Sequence, residues 1–316
     1  MYVGPPRHVA GLPELDRALV MGVLNVTPDS FSDGGRWFDT DKAIAHGREL
    51  AAQGADLVDV GGESTRPGAT RPSPQEEMDR ILPVISALAA DDITISVDTM
   101  RADVAKAAVE AGARLVNDVS GGRADERMFE TVAALGAPYV LMHWRAHSVE
   151  MQQRTEYDDV VADVAKELTE QLDLALAAGI APERIALDPG IGFSKTAGQN
   201  WQVLAATERY HDLGHPLLIA TSRKRFLGHL LADPDGELRP PLERDDATAA
   251  TTALAAAAGA WCIRAHAVRP TADAVRVAAA WAAGAPAGAA TRADAGAPAD
   301  AATTAGSGRA TPGETR

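Results

Sequence analysis

The chain has 316 residues, of which 46% are hydrophobic and 4% aromatic, so we expect a large core of Ala, Val, Leu and Ile. Its net charge of −14 argues against nucleic acid as a partner, because phosphate backbones require clustered Lys and Arg. No apolar run approaches the length of a membrane span, about 18 residues, and no basic and then apolar leader opens the chain. With one cysteine, Cys262, expected to be a buried core thiol, these features predict a soluble cytoplasmic protein with no membrane partner.

The first predicted element is a short apolar run from Val20 to Val26, which favours a buried strand. It leads into a loop that carries Asp29, Phe31 and Asp33 among several hydroxyl side chains. An ordinary strand-to-helix connection needs about two to six residues and has little use for so many oxygens. We therefore expect this loop to close over a charged ligand, with a merely solvated loop as the alternative.

Short β-favouring runs alternate with helical patterns along the rest of the chain. The strands begin near Leu19, Leu57, Thr94, Leu115, Tyr139, Ile185, Leu217 and Trp261. The helices cover residues 41–53, 74–89, 101–111, 126–135, 157–178, 198–207, 246–258 and 271–283, and Gly112, Gly136 and Gly179 are their expected stops. Such alternation predicts an α/β fold, a single (β/α)8 TIM barrel over residues 1–284, with an open doubly wound sheet as the alternative.

The C-terminal segment differs in composition from the barrel. Residues 285–316 contain Ala, Gly, Thr, Pro and charged side chains but no Val, Ile, Leu, Met or aromatic residue. Such a segment buries too little apolar surface to offset the entropy of ordering it, so we expect a disordered tail.

Polar side chains stand at the end of every predicted strand. In chain order they are Asn25, residues 61–66, Asp98-Thr99, Asn117-Asp118, Met142-His143, Asp188-Pro189-Gly190, Ser222-Arg223-Lys224 and Arg264-Ala265-His266. In a barrel all these ends meet at one rim, where active sites are found. The pattern therefore predicts a small-molecule site at that rim.

One group at the rim offers acceptors for a ligand rich in N–H donors. Asp98, Asn117 and Asp188 supply two carboxylates and an amide, and an ionised carboxylate accepts two parallel N–H bonds. Lys224 can donate to ring acceptors of the same ligand. An amino-pyrimidine edge fits this set, whereas a capping or inter-strand structural role is the alternative for each acid alone.

A second group is cationic and hydroxylic and comprises Asn25, Thr65, Arg66, Arg264 and His266. Arginine matches phosphate oxygens with two donors, His266 adds a donor that is sensitive to pH, and the Asn25 oxygen suits Mg²⁺ that phosphate already holds. A buried ion pair is the alternative for Arg264. Both groups together predict a heterocycle joined to a diphosphate, displaced by a nucleophile with catalysis by positioning and electrostatics.

At this point the sequence resembles the dihydropteroate synthase family. The resemblance rests on the run MGVLNVTPDSFSDGG at residues 21–35 and on the motifs at residues 61–68, 97–99, 117–122, 188–193, 222–226 and 264–266. It extends from about residue 19 to residue 281, and the order of the motifs makes it specific. Arg225-Phe226 and His143-Trp144 make the chain look most like the actinobacterial form.

The resemblance implies condensation of 6-hydroxymethyl-7,8-dihydropterin diphosphate with p-aminobenzoate, giving 7,8-dihydropteroate and diphosphate in folate synthesis. The implied mechanism is SN1-like, in which diphosphate leaves before the arylamine attacks. A homodimer is implied by the resemblance alone. The residues that would bind the pterin are Asp98, Asn117, Met142, Asp188 and Lys224.

The remaining roles follow from the same resemblance. Asn25 would bind Mg²⁺, while Arg264 and His266 would hold the diphosphate and Ser222 would belong to the same substrate site. The p-aminobenzoate pocket, where sulfonamides compete, would be framed by Thr65, Arg66, Pro67, Phe193 and Lys224. The first loop, with Asp29, Phe31 and Asp33, would close over the cationic intermediate.

One motif departs from the family pattern, since Arg-Val-His-Asp is replaced here by Arg264-Ala265-His266-Ala267. The two expected diphosphate ligands are kept, and the missing aspartate removes a neighbouring hydrogen bond or ion pair. Two other functions remain open on the sequence alone. One is a non-catalytic pterin-binding paralogue, and the other is a pterin-dependent methyltransferase, which needs no diphosphate pocket.

Overall fold

The structure is a computed structural model that describes residues 8–27, 40–63, 71–145 and 155–284. The predicted tail at residues 285–316 lies outside the described residues, so the division of the chain at residue 284 stays a prediction. Within the described ranges, no helix has both the length and the apolar character that crossing a bilayer would require.

Eight parallel strands form one sheet. They are β1 (Leu19–Asn25), β2 (Leu57–Gly61), β3 (Ile95–Asp98), β4 (Leu115–Asp118), β5 (Tyr139–Met142), β6 (Ile185–Asp188), β7 (Leu218–Ile219) and β8 (Cys262–Ala265). The strand order is β6-β5-β4-β3-β2-β1-β8-β7, and a parallel bridge between Leu187 and Leu217 brings β6 beside β7. The predicted barrel is confirmed, because an open doubly wound sheet would leave those two edges apart.

Helices follow the strands and cover the outside of the barrel. They are α1 (Thr40–Ala52), α2 (Pro74–Ala90), α3 (Ala102–Glu110), α4 (Met128–Leu135), α5 (Val160–Ala177), α6 (Ala197–Ala205), α7 (Thr207–His211), α8 (Arg225–Leu230), α9 (Asp245–Ala257) and α10 (Val268–Ala282). Side chains fix several starts: Ser73 and Thr196 form capping boxes, and Asp159 accepts from two backbone N–H groups. Gly136, with φ of 60°, ends α4 in the left-handed conformation that glycine tolerates best.

The sequence patterns missed two short helices and misplaced some boundaries. α7 and α8 have five and six residues, too few to show a helical period in the sequence. α5 begins at Val160 rather than residue 157 because Asp159 caps it, and α10 begins at Val268 rather than residue 271. These shifts leave the strand ends, and therefore the rim, where the sequence placed them.

Alternation along the strands divides the buried residues into two groups. Outward-facing residues such as Val58, Val116 and Ile263 pack against the helices. Inward-facing residues form a separate cluster inside the barrel, which Trp261 and the N-terminal residues Val9 and Leu12 extend. The wall between the two is the sheet itself.

The residues that face the barrel interior change from apolar to mostly polar within two positions along most strands. We define the lower interior set as Leu57, Leu115, Val140, Ala186 and Cys262, all fully buried in the inner cluster. Two residues further along the same strands, and on the same face, lie Asp59, Asn117, Met142, Asp188 and Arg264. We define the upper interior set as these five residues together with Asp98, which ends β3. This upper set forms the floor of the rim.

Candidate active site

Four members of the upper interior set form one hydrogen-bonded network across the barrel. Arg264 donates from Nε to Oδ2 of Asp59 and from Nη2 to Oδ2 of Asp98, both at 2.6 Å. Asn117 donates from Nδ2 to the same Asp59 oxygen at 3.1 Å. Strands β8, β2, β3 and β4 are therefore joined at the rim by polar side chains that also face the site.

The network perturbs the charges that it contains. Burial raises the pKa of Asp98 to about 7, with the neighbouring carboxylates of Asp59, Glu77 and Asp118 adding to the rise and Arg264 opposing it. Burial lowers the pKa of Arg264, but Asp59 and Asp98 outweigh it and leave the net pKa above its ordinary value. Arg264 is therefore always charged. It forms the ion pair that the sequence analysis gave as the alternative role for this residue, with Asp59 and Asp98 as its partners. Its contact with diphosphate stays a prediction.

Asp188 and Lys224 form the second part of the site. Asp188 ends β6, and its Oδ1 accepts from the backbone N–H of Gly190 at 2.7 Å. Burial raises the pKa of Asp188, and Lys224 is the strongest influence that lowers it. Burial in turn lowers the pKa of Lys224 to about 8, against the opposing effect of Asp188. A carboxylate and an ammonium therefore stand together at the rim, as the sequence predicted for the pterin site.

The β6–α6 loop wraps around Lys224. The lysine Nζ donates to the carbonyl of Ile191 and lies 5.0 Å from the ring centroid of Phe193. A Cβ at Gly192, whose φ is 82°, would lie 2.8 Å from Cδ of Lys224, so only glycine lets the chain approach this closely. The structure thus brings Phe193 and Lys224 together, as expected for two residues that frame one pocket.

Ser222 and His266 form a hydroxyl–imidazole pair at the same rim. Ser222 Oγ lies 3.0 Å from Nδ1 of His266 and accepts from the His266 backbone N–H at 3.1 Å. Burial, reinforced by Arg264 and nearby cations, lowers the pKa of His266 to about 3. The imidazole is therefore neutral at pH 7, and the pH-sensitive donor expected from the sequence titrates well below neutrality.

Two further predicted residues also lie at the rim. Met142 is buried at the end of β5 and pairs in register with Asp188, which places its side chain beside the acceptor set. Asn25 ends β1 opposite Gly61, half-buried, on the inward-facing side. No cluster of three or more His, Cys, Asp or Glu side chains suited to a metal ion occurs in the described ranges. The neutral Asn25 oxygen fits an ion that a bound diphosphate largely coordinates.

Six predicted residues lie outside the described ones and remain predictions. They are Asp29, Phe31 and Asp33 of the first loop, and Thr65, Arg66 and Pro67 of the second.

The sequence patterns also missed residues that support the site. Asp59 interrupts the apolar strand β2 two positions after Leu57. Because a buried charge needs a partner, an acid at an inward-facing position of a buried strand could have indicated a polar site inside the barrel. Lys195 is nearly fully buried, and its Nζ lies 3.0 Å from Nδ1 of His143, which the sequence did place at the end of β5. The sequence signal of Lys195 was weak, because a lysine shortly after a glycine-rich loop is typical of solvated surface.

The rim therefore offers three acceptors, two ammonium or guanidinium groups and a neutral imidazole. Asp98, Asn117 and Asp188 match the N–H donors of a planar heterocycle, and Lys224 supplies a donor near Asp188. Arg264, His266 and Ser222 provide donors for an anionic group beside that ring. The arrangement is suited to binding and polarising a ligand, and Ser222 and His266 add a hydroxyl and a neutral imidazole that lie 3.0 Å apart.

Comparison with known proteins agrees with this chemistry. The family described as pterin binding enzyme matches residues 21–266. A dihydropteroate synthase of Mycobacterium leprae (strain TN) is 54% identical over 263 residues, which cover 83% of this chain and 93% of that protein.

Solved structures resemble the chain over most of its length. Yersinia pestis dihydropteroate synthase with a sulfonamide drug complex is 40% identical, covers 88% of this chain and 99% of that chain, and has a TM-score of 0.80. Xanthomonas albilineans dihydropteroate synthase in complex with 7,8-dihydropteroate is 42% identical, covers 88% and 98%, and has a TM-score of 0.76. The chain therefore belongs to the pterin binding enzyme family and, within it, to the dihydropteroate synthases.

Proposed function

We propose that the chain condenses 6-hydroxymethyl-7,8-dihydropterin diphosphate with p-aminobenzoate to form 7,8-dihydropteroate and diphosphate. The observation that carries this proposal is the upper interior set, which places Asp98, Asn117 and Asp188 around one space with Arg264 beside it. A dihydropterin presents several N–H donors on one edge, and carboxylates accept such donors strongly and selectively. Membership of the dihydropteroate synthases supports the same substrates.

In the proposed reaction the chain acts by holding charge in place. Asp98, Asn117 and Asp188 accept from the pterin ring, and Lys224 donates to a ring acceptor while its stem is confined by the loop. Arg264 and the neutral His266 donate to the leaving diphosphate. The carbon–oxygen bond to diphosphate breaks first, and the arylamine nitrogen then forms the new carbon–nitrogen bond and loses a proton.

The positive ring fragment formed in this step would be stabilised by the carboxylates already present. Asp188 is buried and the side chain of Asp98 is only 13% exposed, so their negative charge is weakly screened at the reacting centre. This role requires Asp98 to be ionised, which gives the reaction a pH dependence.

We also propose that Mg²⁺ accompanies the diphosphate, with Asn25 as the protein ligand. When bound, the ion neutralises charge on the leaving group. The support is the inward-facing position of Asn25 at the rim and its hard, neutral oxygen. Asn25→Ala should raise the Mg²⁺ concentration needed for half-maximal turnover while circular dichroism stays unchanged. An unaltered Mg²⁺ dependence would remove Asn25 from this role.

The deciding experiment measures diphosphate release by the purified chain with the dihydropterin diphosphate, p-aminobenzoate and Mg²⁺. We expect release that requires p-aminobenzoate and matches dihydropteroate formation. Pterin binding without release would indicate a non-catalytic paralogue instead. Methyl transfer to or from a folate, with no diphosphate release, would indicate the methyltransferase alternative.

We further infer a cytoplasmic homodimer. The free, fully buried thiol of Cys262 fits a reducing compartment. Leu254 on α9 is 72% exposed and borders an apolar groove with Trp201 and Leu204, which fits a surface covered by a second copy. Sedimentation velocity should find a dimer that Leu254→Glu weakens, whereas a monomeric wild type would refute it.

A further inference from the structure

Lys195 is a buried lysine that the proposed reaction does not use directly. It lies just after Phe193 in the β6–α6 loop and is only 4% exposed. Its Nζ is 3.1 Å from the carbonyl oxygen of Gly190, 3.3 Å from that of Phe193 and 3.0 Å from Nδ1 of His143. Burial lowers the pKa of Lys195 to about 7, so the ammonium form, whose three N–H donors match these three acceptors, is fully present only below that pH.

The contacts of His143 fix how this lysine is held. The Nε2 of His143 lies 3.0 Å from Oε2 of Glu167 on α5, so an imidazole that accepts from Lys195 at Nδ1 donates to Glu167 at Nε2. Burial and the nearby Lys195 lower the pKa of His143 to about 4, which keeps the ring neutral and able to accept. Arg145 holds Glu167 from the other side. Lys195 is thus tied through His143 to a fixed carboxylate on the outer helix.

The loop that Lys195 holds carries three parts of the site. Asp188 opens the loop and bonds to the N–H of Gly190, whose carbonyl accepts from Lys195. The Ile191 carbonyl, one residue later, accepts from Lys224. The ring of Phe193 lies beside the same lysine, and the Phe193 carbonyl is the second backbone acceptor of Lys195. The ammonium therefore anchors the loop on both sides of Ile191.

We propose that Lys195 is a positioning residue for the reaction: its ammonium fixes the β6–α6 loop so that Asp188, Lys224 and Phe193 face one ligand. This inference rests on the proposed function, whose site it deepens. Lys195 is not a catalytic residue, because its donors are taken by the protein and its side chain is buried behind the loop. Its effect on the ligand passes through residues that touch it.

Backbone geometry explains why the loop needs such an anchor. Gly190 has φ of 67° and Ser194 has φ of 48°, both left-handed, and a non-glycine residue adopts that conformation only at a cost. A Cβ at Gly190 would lie 2.3 Å from the His143 carbonyl oxygen, so β5 and the loop are in close contact. The Gly190 carbonyl also accepts from the Phe193 backbone N–H at 3.1 Å, so Lys195 adds a second donor there and a donor to the Phe193 carbonyl.

The test is Lys195→Met, which keeps the length of the side chain but removes the donors. Since a hydrogen bond to a charged group contributes about 1.5–3 kcal/mol, we expect KM for the dihydropterin diphosphate to rise about ten- to a hundredfold. The value of kcat at saturation should change less. Lys166→Met is the matched control, because Lys166 is 76% exposed and only 4.0 Å from Glu170, and it should leave both constants unchanged.

A second control separates positioning from simple loss of stability. Asp56→Asn weakens the ion pair with Arg17, whose atoms lie 2.7 Å apart at the opposite end of the barrel. It should lower the melting temperature without raising KM. If Lys195→Met lowers the melting temperature but leaves KM within about twofold of wild type, the lysine is structural only and the proposal fails. If Lys195→Met does not fold, Lys195→Gln, which keeps a donor for one carbonyl, takes its place with the same criterion.

A double-mutant cycle checks the route of the effect. If Lys195 acts through Asp188, then Lys195→Met should raise KM much less in an Asp188→Asn background than in the wild type. Additive effects would overturn that route. Failure of the wild type to release diphosphate would refute the proposed function, whereas an active wild type with an unaffected Lys195→Met variant would refute only the positioning role.

Discussion

The lower and upper interior sets of the barrel lie two residues apart on the same strands, yet the lower set stabilises the fold and the upper set faces the ligand site. The lower set is apolar and fully buried, and it fills the barrel as a core. The upper set buries carboxylates, an amide and a guanidinium that bond across the barrel. Burying these charges costs stability that apolar residues would provide, unless the charges are paired.

The contrast teaches how one small step in sequence separates folding from function. Leu115 and Asn117 share a strand and a face, so the same backbone positions both. A rigid apolar layer beneath the polar one keeps the acceptors from moving when a ligand arrives. The site is therefore prepared by packing below it as well as by hydrogen bonds within it.

The largest effect is expected from the lower set. Leu115 is fully buried, and Leu115→Ala should lower the free energy of unfolding by about 2–5 kcal/mol through lost burial and a residual cavity. Denaturant unfolding measures this loss. KM for the dihydropterin diphosphate, taken on the folded enzyme, should stay within a few-fold. A tenfold rise in KM would show that the two sets are not separable.

Rim residues that contact the ligand site around the upper set should respond in the opposite way. Lys224→Ala removes the ammonium beside Asp188 and its bond to the Ile191 carbonyl, so kcat/KM should fall by about a hundredfold, as expected for a lost charged contact. Circular dichroism should show an intact fold. Lys166→Ala, an exposed lysine on α5, is the control and should retain wild-type turnover. A near-wild-type rate for Lys224→Ala would remove Lys224 from the site.

The acceptor role of Asp98 predicts a pH dependence. The charged groups that influence it are Arg264, Asp59, Glu77 and Asp118, and the balance raises the pKa of Asp98 to about 7. Below that pH the carboxyl is protonated and loses acceptor capacity, so kcat/KM should fall by up to about tenfold per pH unit on the acid side. Asp59→Asn removes a neighbouring negative charge and should move this acid limb to lower pH. An unmoved limb would assign the titration to another group.

Much of this architecture could be predicted from sequence because the signals are local. The strands that begin at Leu57, Leu115 and Ile185 were placed correctly, because their β-favouring runs stand out from the polar residues around them. The strand-end rule then placed Asp98 and Asp188 at one rim without knowledge of any contact. Barrel topology alone was enough to bring these distant residues together.

What the sequence could not supply was pairing between side chains from distant strands. The bond between Arg264 and Asp59 joins residues 205 positions apart, and no local pattern encodes it. The neutrality of His266 likewise depends on burial beside cations from other strands. Roles that rest on such pairing, including that of Lys195, require the folded chain.

The smallest effect is expected where the sequence departs from the family pattern. Ala267 is the N-cap of α10 and makes no side-chain bond to the helix, whose first turn has no acidic residue. Its φ of −92° and ψ of 93° suit a capping residue, so Ala267→Asp should accept from backbone N–H groups of the first turn and raise the free energy of unfolding by about 1 kcal/mol. Ala267→Asn, a neutral cap, separates capping from charge, because it should give most of the gain. If neither variant is more stable in denaturant unfolding, the first turn of α10 already has its partners, and the missing aspartate served some purpose other than capping.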